Sequence, residues 1–209
     1  MNSNYRFIGA FGLLFLFMTA AAGPNKIGNG GDIVFCPNHL SDKAQILDFY
    51  ESKTKPVSSE SDPYKIAEQV FKNIEKSAPK LAAQYLNRLS QISKEIEFKK
   101  DVKLTDIADS NHLFEPSDKD CSFLQAAIRQ NEKSQDGKRF IVRQDLWSEL
   151  SPVQQAGLLT HEILYEHLAK LGEVDSSKVR KINIHLYQDA KSRKDIWVLM
   201  RDLRLPIYP

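Results

Sequence analysis

The sequence contains few of the residue patterns on which several common chemistries depend. Only 2 of its 209 residues are cysteines, and no C-x-x-C pair occurs, which argues against a cysteine-based metal site. No G-x-S-x-G element is present, so acyl transfer of the α/β-hydrolase type has no support. With 29 basic and 27 acidic residues, the chain lacks the excess of one charge that attracts nucleic acid. We therefore expect no nucleic-acid partner.

Long hydrophobic runs are missing after the first 22 residues. Residues 1–22 combine Arg6, an apolar run at 7–18 and small residues at 20–22, the layout of a cleaved secretory signal. The apolar run is shorter than the roughly 20 residues of a membrane-spanning helix, which argues against an uncleaved anchor. We predict a signal peptide over residues 1–22, one globular domain over residues 23–209, export to the periplasm or exterior, and no transmembrane segment in the mature chain.

The two cysteines, Cys36 and Cys121, both belong to the predicted mature chain. An exported chain meets an oxidising environment, in which an even pair of cysteines usually closes. We predict a disulfide between them, with two separate buried thiols as the alternative. Closing a loop of this size would stabilise the fold by roughly 4 to 5 kcal/mol in the chain-entropy model.

Strand signals occur at both ends of the segment that this disulfide would close. Glycines in residues 28–32 predict a turn into a strand at 33–36, and the absence of a following Gly-Lys-Ser/Thr argues against a phosphate loop. Residues 121–129 and 139–143 flank a polar connection with Asp136 and Gly137, which predicts a hairpin. The disulfide would place the N-terminal strand beside this hairpin.

Helical spacing of apolar residues dominates the rest of the chain, and the class predicted is α+β, mainly α. We expect about five to six helices packed on a small antiparallel sheet of about three strands. Caps and prolines predict helices at residues 41–52 (capped by Ser41), from Asp62-Pro63 to Ile74, from Pro79 to Ile96, at 152–171, from Asp175–Ser177 to Leu186, and from Ser192 to Leu203.

Charge is unevenly distributed along the mature chain. Residues 101–120 carry six acidic and two basic side chains, and a solvated loop is favoured there over a cation site. Residues 178–204 carry eight basic and three acidic side chains. This basic segment could meet an anionic envelope surface, although pairing with the acidic stretch of the same chain is favoured.

The segment THEILYEHL lies in the predicted helix 152–171. Ser151 as N-cap and Gln154 at N3 predict a capping box, and Gly172 is placed to end the helix. Gly157 lies in the apolar stripe, where the missing side chain would let another backbone approach closely.

Helical rotation places the polar residues of this helix on different sides. Glu162 and Glu166 fall opposite the apolar stripe, which predicts a solvated face with a salt pair between Glu166 and Lys170. His161 and Tyr165 lie one turn apart on a flank of the stripe and are expected to be neighbours.

The same segment resembles the active helix of zincin metallopeptidases, in which two histidines one turn apart bind zinc and a glutamate between them is the general base. His161 would match the first ligand and Glu162 the base, while Tyr165 replaces the second histidine. His112 and His185 are the candidates to complete a metal site with His161. The missing ligand favours the other interpretation, in which His161 packs on the core and its nitrogens bond to neighbours.

A second resemblance covers most of the mature chain and implies a secreted or periplasmic single domain without naming a catalytic residue. The chain resembles a group of small exported proteins of predatory Gram-negative bacteria in the order of its segments GNGGDIVFC, ILDFYES, CSFLQAAIRQ, RFIVRQDLW, AGLLTHEILYEH and SSKVRKIN. The function expected is a non-enzymatic binding or structural accessory protein, without a cofactor, whose partner is an envelope component or another protein. The alternative is a divergent zincin-like hydrolase that uses zinc with His161 and Glu162.

Overall fold

A computed structural model describes residues 31–39, 42–102, 104, 116, 119–130, 132–189 and 193–206. The predicted signal peptide, the candidate ligand His112, most of the acidic stretch, and the predicted caps Ser41 and Ser192 lie outside these residues. The predicted α+β class is confirmed. No helix in the described ranges is long and apolar enough to cross a membrane.

Within the described ranges, six short strands form two sheets of three, not the single sheet predicted. The first sheet is antiparallel, with β1 between β2 and β4. In the second, β6 pairs antiparallel with β5 and parallel with β3. The strands are β1 (Asp32–Phe35), β2 (Ala44–Ile46), β3 (Ile96–Lys99), β4 (Ser122–Gln125), β5 (Ala127–Arg129) and β6 (Phe140–Arg143).

The division into two sheets originates at Ala126. Residues 121–129 read as one extended run, but Ala126 separates β4 from β5, so the two halves pair with different partners. The backbone N–H of Ala126 donates to the carbonyl of Gly31, and its own carbonyl accepts from Arg143, at 2.8 Å each. The predicted hairpin therefore exists as β5–β6, while the N-terminal strand lies beside β4.

Seven helices occur in the described part of the chain, one or two more than predicted. The proline and cap signals located several starts correctly: Asp62 accepts from the N–H of Tyr64, and Asp175 from that of Ser177, at 2.9 Å each. The helices are α1 (Leu47–Ser52), α2 (Pro63–Lys72), α3 (Pro79–Glu95), α4 (Gln144–Glu149), α5 (Pro152–Lys170), α6 (Ser177–Leu186) and α7 (Ile196–Asp202).

Strand pairing overrides local propensity at two predicted helix boundaries, and a third is also wrong, because α7 begins at Ile196 with Asp195 as its cap and not at Ser192. Residues 44–46 form β2 beside β1, so α1 begins only at Leu47. Ile96 belongs to the apolar stripe of α3 in sequence, yet its backbone is extended and it opens β3 against Phe140.

The long helix α5 lies at the centre of the domain, with α2, α3, α6 and β2 packed around it. Its end is as predicted: Gly172 has φ 94°, and the N–H of Glu173 donates to the carbonyl of Leu168 at 3.1 Å. The predicted capping box is wrong, because Ser151 makes no side-chain cap bond and Gln154 Oε1 accepts from the backbone of Ile46 at 2.9 Å.

Gly157 permits the closest approach to α5, as expected, although side chains and not a backbone fill the space. A Cβ at this position would lie 2.6 Å from Ile46 Cδ1 and 2.7 Å from Phe49 Cε2. The missing side chain thus lets β2 and α1 pack directly on the helix.

The predicted disulfide between Cys36 and Cys121 is present. Cys36 follows the last residue of β1 and Cys121 precedes the first residue of β4, so the bond joins two paired strands at their ends.

Candidate functional site

His161 lies on α5 and is 3% exposed. Its Nδ1–H donates to both carboxylate oxygens of Asp48, at 2.9 and 3.0 Å, and Asp48 comes from α1, 113 residues earlier. Asp48 is 2% exposed. His161 is therefore packed in the core and bonded to a neighbour. This is the interpretation that the sequence favoured over metal ligation.

Further polar side chains extend this pair towards α6. Asn183 donates from Nδ2 to Asp48 at 2.6 Å and to the carbonyl of Gly157 at 3.0 Å. The hydroxyl of Thr160 donates to Asn183 Oδ1 at 2.6 Å. These contacts join α1, α5 and α6 through one buried polar network, centred on Asp48.

Arg180 binds α6 to α1 beside this network. Its Nε donates to Glu51 at 2.9 Å, its Nη1 donates to Ser176 at 2.6 Å, and the residue is 3% exposed. Lys178 forms an ion pair with Glu173 at 2.7 Å. Arg180 and Lys178, two of the eight basic residues in segment 178–204, therefore pair with acidic residues of this chain, and Arg180 is buried.

The pKa values of Asp48 and His161 are shifted in opposite directions, each towards the charged form of its group. Burial alone would raise the pKa of Asp48, but the charge and hydrogen bond of His161 and the hydrogen bond of Asn183 outweigh it and hold that pKa below its ordinary value. Burial opposes the charge of His161 too, and the charge and hydrogen bond of Asp48 outweigh this and raise the pKa of His161. Both shifts favour the charged forms of this buried pair over the neutral ones.

Glu162 is buried, which contradicts the solvated face predicted for it. Among the described residues, neither of its carboxylate oxygens has a hydrogen-bond partner. Burial raises the pKa of Glu162 to about 7, although the charges of His161 and Arg129 act in the opposite direction. Beside this carboxyl lies a cavity of about 10 Å³, whose other lining residues are aliphatic or aromatic. They come from the second sheet (β3, β5 and β6) and from α3, α4 and α5. The face predicted to meet water meets the second sheet instead.

Glu166, one turn further along α5, is also buried, so its predicted solvated position is wrong as well. The predicted ion pair with Lys170 exists at 3.1 Å. Arg88 and Arg139 add contacts at 2.7 and 3.4 Å. Burial favours the neutral form of Glu166, but the hydrogen bond and charge of Arg88 outweigh it and lower the pKa. Two adjacent buried carboxyls on one helix thus have pKa values shifted in opposite directions.

Tyr165 lies next to His161, as the helical spacing predicted. The two rings stack with centroids 6.4 Å apart, and Tyr165 is 2% exposed. The guanidinium of Arg129 also contacts Tyr165 and lies 5.7 Å from the centre of its ring. Burial and these ring contacts place Tyr165 in the core beside His161.

Of the two histidines predicted to complete a metal site with His161, His185 alone lies among the described residues, and its ring bonds elsewhere. His185 Nε2 donates to the carbonyl of Lys194 at 2.9 Å, and His167 Nδ1 shares a hydrogen bond of 2.8 Å with the hydroxyl of Tyr85. His112 lies outside the described residues. Within the described ranges, the cluster of potential ligand residues is Cys36, His39 and Cys121, at the disulfide.

Sequence reasoning missed Asp48, Asn183 and Arg129. Asp48 offered a weak signal, because it interrupts the apolar residues of ILDFYES in the first turn of a short helix. Arg129 ends the apolar run of β5, which makes it an unusual residue for a buried strand. Nothing local distinguishes Asn183 from a surface residue of an amphipathic helix.

Comparison of this chain with family models, with curated proteins and with solved structures found no match in any of the three.

Proposed function

We propose that this chain is an exported binding or structural accessory protein of the cell envelope, and one of the small exported proteins of predatory Gram-negative bacteria that its segments resemble. In this proposal His161 belongs to the buried polar network around Asp48, and neither His161 nor Glu162 performs catalysis. The observation that carries it is the burial of both residues, each 3% exposed, with the imidazole engaged by Asp48. Burial of this degree argues against direct contact of either group with a substrate.

A surface cleft supports the binding role. It has a volume of about 750 Å³ and lies between the loop at residues 54–60, α2 and the end of α6. Lys65 and Gln69 are exposed on its α2 side, and Tyr187 and Asp189 line the opposite side. Mixed charge and an open shape suit a polar polymer or a peptide segment better than a small apolar ligand.

The experiment compares two charge reversals in the mature chain. Lys65→Glu changes the cleft, whereas Lys76→Glu makes the same change at an exposed residue outside it. Wild-type protein and Lys76→Glu should co-sediment with isolated cell-wall sacculi or outer-membrane vesicles, and Lys65→Glu should bind at least about tenfold more weakly. Absence of binding by the wild type to both preparations, or equal binding by both variants, would contradict the proposal.

One observation favours a second candidate, a metal-dependent hydrolase at His161. Since Asp48 holds Nδ1, the Nε2 of His161 is left without a partner among the described residues. A carboxylate on one imidazole nitrogen and a metal on the other is a common arrangement of metal-ligating histidines. The fit to zinc is incomplete, because the described residues place no two further His, Cys, Asp or Glu ligands close enough to complete a set of three.

Metal analysis separates the two candidates. Two results together would establish the hydrolase. The purified mature protein would retain a stoichiometric transition metal, and it would hydrolyse peptide or wall polymer in a reaction that a chelator inhibits and Glu162→Gln abolishes. The accessory role predicts no bound metal and no hydrolysis. It also predicts that Glu162→Gln binds the envelope preparations as well as the wild type does.

A further inference from the structure

The disulfide lies beside a histidine. The Sγ atoms of Cys36 and Cys121 and a ring nitrogen of His39 all lie within 4.8 Å of one another. His39 follows Cys36 in the sequence CPNH, which gives the two-residue spacing that zinc sites use between neighbouring ligands. The absence of C-x-x-C, which argued against a cysteine-based metal site, does not exclude this C-x-x-H group completed by a distant cysteine.

The backbone that brings these residues together does not depend on the disulfide. Phe35 pairs with Ser122 in the β1–β4 ladder, so Cys36 and Cys121 occupy the next opposed positions, with Cα atoms 4.2 Å apart. The N–H of Cys36 also donates to the carbonyl of Lys43 at 2.7 Å. When the S–S bond is cleaved, these hydrogen bonds still hold the two thiols opposite each other.

Separate contacts hold His39 over the same position. Its N–H donates to the carbonyl of Cys36 at 3.1 Å, which closes the turn after β1. Within that turn, Asn38 Nδ2 donates at 3.0 Å to Asp120, the residue before Cys121. The turn is thereby attached to both sides of the cysteine pair.

We propose that the reduced protein binds one thiophilic divalent cation, with Zn²⁺ as the probe, through the thiolates of Cys36 and Cys121 and the imidazole of His39. Three protein ligands of this type leave the fourth tetrahedral position for water. Zinc–sulfur bonds of about 2.3 Å need sulfur atoms roughly 3.8 Å apart. Rotation of the cysteine side chains supplies that separation while the paired strands stay in place.

The chemistry requires a dithiol reductant. The reductant transfers two electrons and two protons to the S–S bond and becomes a disulfide itself, and the protein gains two thiols. Zinc then displaces the two thiol protons and binds the thiolates. In the reverse direction a disulfide oxidant accepts two electrons from the thiolates and two protons from solvent and becomes a dithiol, which re-forms the S–S bond of the protein and releases the cation. The site therefore holds metal only in the reduced state. This property is separate from the proposed envelope binding and does not involve the cleft between α2 and the end of α6.

The test uses the mature chain, oxidised or reduced under anaerobic conditions. Zinc binding is measured by competition with a chromogenic chelator, and Co²⁺ substitution reports thiolate ligation through charge-transfer absorption. Reduced wild type should bind one equivalent and oxidised wild type none. Loss of a single outer-shell partner weakens metal sites about 10- to 100-fold, so His39→Ala, which removes a ligand, should weaken binding at least about tenfold. His167→Gln, whose histidine bonds to Tyr85 elsewhere, should bind as the wild type does.

A second measurement covers the case in which reduction destabilises the fold. Zinc should raise the midpoint of thermal unfolding of the reduced wild type, raise that of reduced His39→Ala less at the same concentration, and leave that of the oxidised protein unchanged. The proposal is overturned if reduced wild type binds no zinc, if His39→Ala binds it equally well, or if zinc fails to restore a reduced chain that has unfolded.

Discussion

Glu162 should make the protein less stable as the pH rises. Its pKa lies near 7 in the folded protein against an ordinary value of 4.5. The folded state therefore keeps a proton that the unfolded state releases, and stability is lost as the pH rises from about 4.5 through 7. A shift of this size corresponds to about 3 kcal/mol, at 1.36 kcal/mol per pKa unit. We expect Glu162→Gln to remove that loss.

Urea unfolding of the oxidised mature chain at pH 4 and pH 8 measures this effect. The difference in unfolding free energy between Glu162→Gln and wild type should shift by about 3 kcal/mol in favour of the variant over this range. Other titrating groups occur in both proteins and cancel from the comparison. Parallel pH profiles for the two proteins would refute the reasoning, because they would show that Glu162 titrates alike in the folded and unfolded states.

Glu166→Gln is the matched control, because it removes a second buried carboxyl from the same helix. The pKa of Glu166 is lowered, so its ionised form stabilises the folded state at pH values above 4.5, and this stabilisation is lost as the pH falls below it. The variant should therefore lose stability relative to wild type at pH 8 and approach it at low pH. The two substitutions should have pH dependences of opposite sign.

Three further predictions concern the packing around α5 and the first sheet. Asp48→Asn should cost about 3 to 5 kcal/mol in unfolding free energy, because it leaves a buried imidazole without its charged partner, and the pKa of His161 followed by NMR should fall. Gly157→Ala should cost about 1 to 3 kcal/mol and lower the melting temperature, because the added Cβ would lie within 2.8 Å of Ile46 and Phe49 side-chain atoms. Replacing both Cys36 and Cys121 by serine should cost roughly 4 to 5 kcal/mol in urea unfolding; an unchanged midpoint would show that the bond does not restrain the unfolded chain.

Local signals predicted the features that depend on neighbouring residues. Asp62-Pro63 located the start of α2 and Gly172 the end of α5, because caps and backbone conformation act within one helical turn. The adjacency of His161 and Tyr165 followed from helical rotation alone. The disulfide followed from the cysteine count and the expected compartment.

The features missed depend on residues far apart in sequence. Residues 44–46 become a strand only because β1 lies beside them. Glu162 faces away from the apolar stripe of α5, and its burial requires a second sheet that covers that side. Asp48 meets His161 across 113 positions, and no periodicity within α1 or α5 encodes that pairing.

The energetics of Glu162 connect the stability prediction to the choice between the two proposed functions. An unpartnered buried carboxyl such as that of Glu162 destabilises the fold at neutral pH. The carboxylate of Asp48, by contrast, accepts a hydrogen bond from His161. A buried carboxyl with no functional role would be replaceable by glutamine with a gain in stability and no other effect. If Glu162→Gln is more stable at pH 8 and still binds the envelope preparations, the carboxyl is dispensable to an accessory protein. If the same variant gains stability but loses bound metal and hydrolysis, the destabilising charge belongs to an active site, since catalytic groups are often kept at the expense of stability.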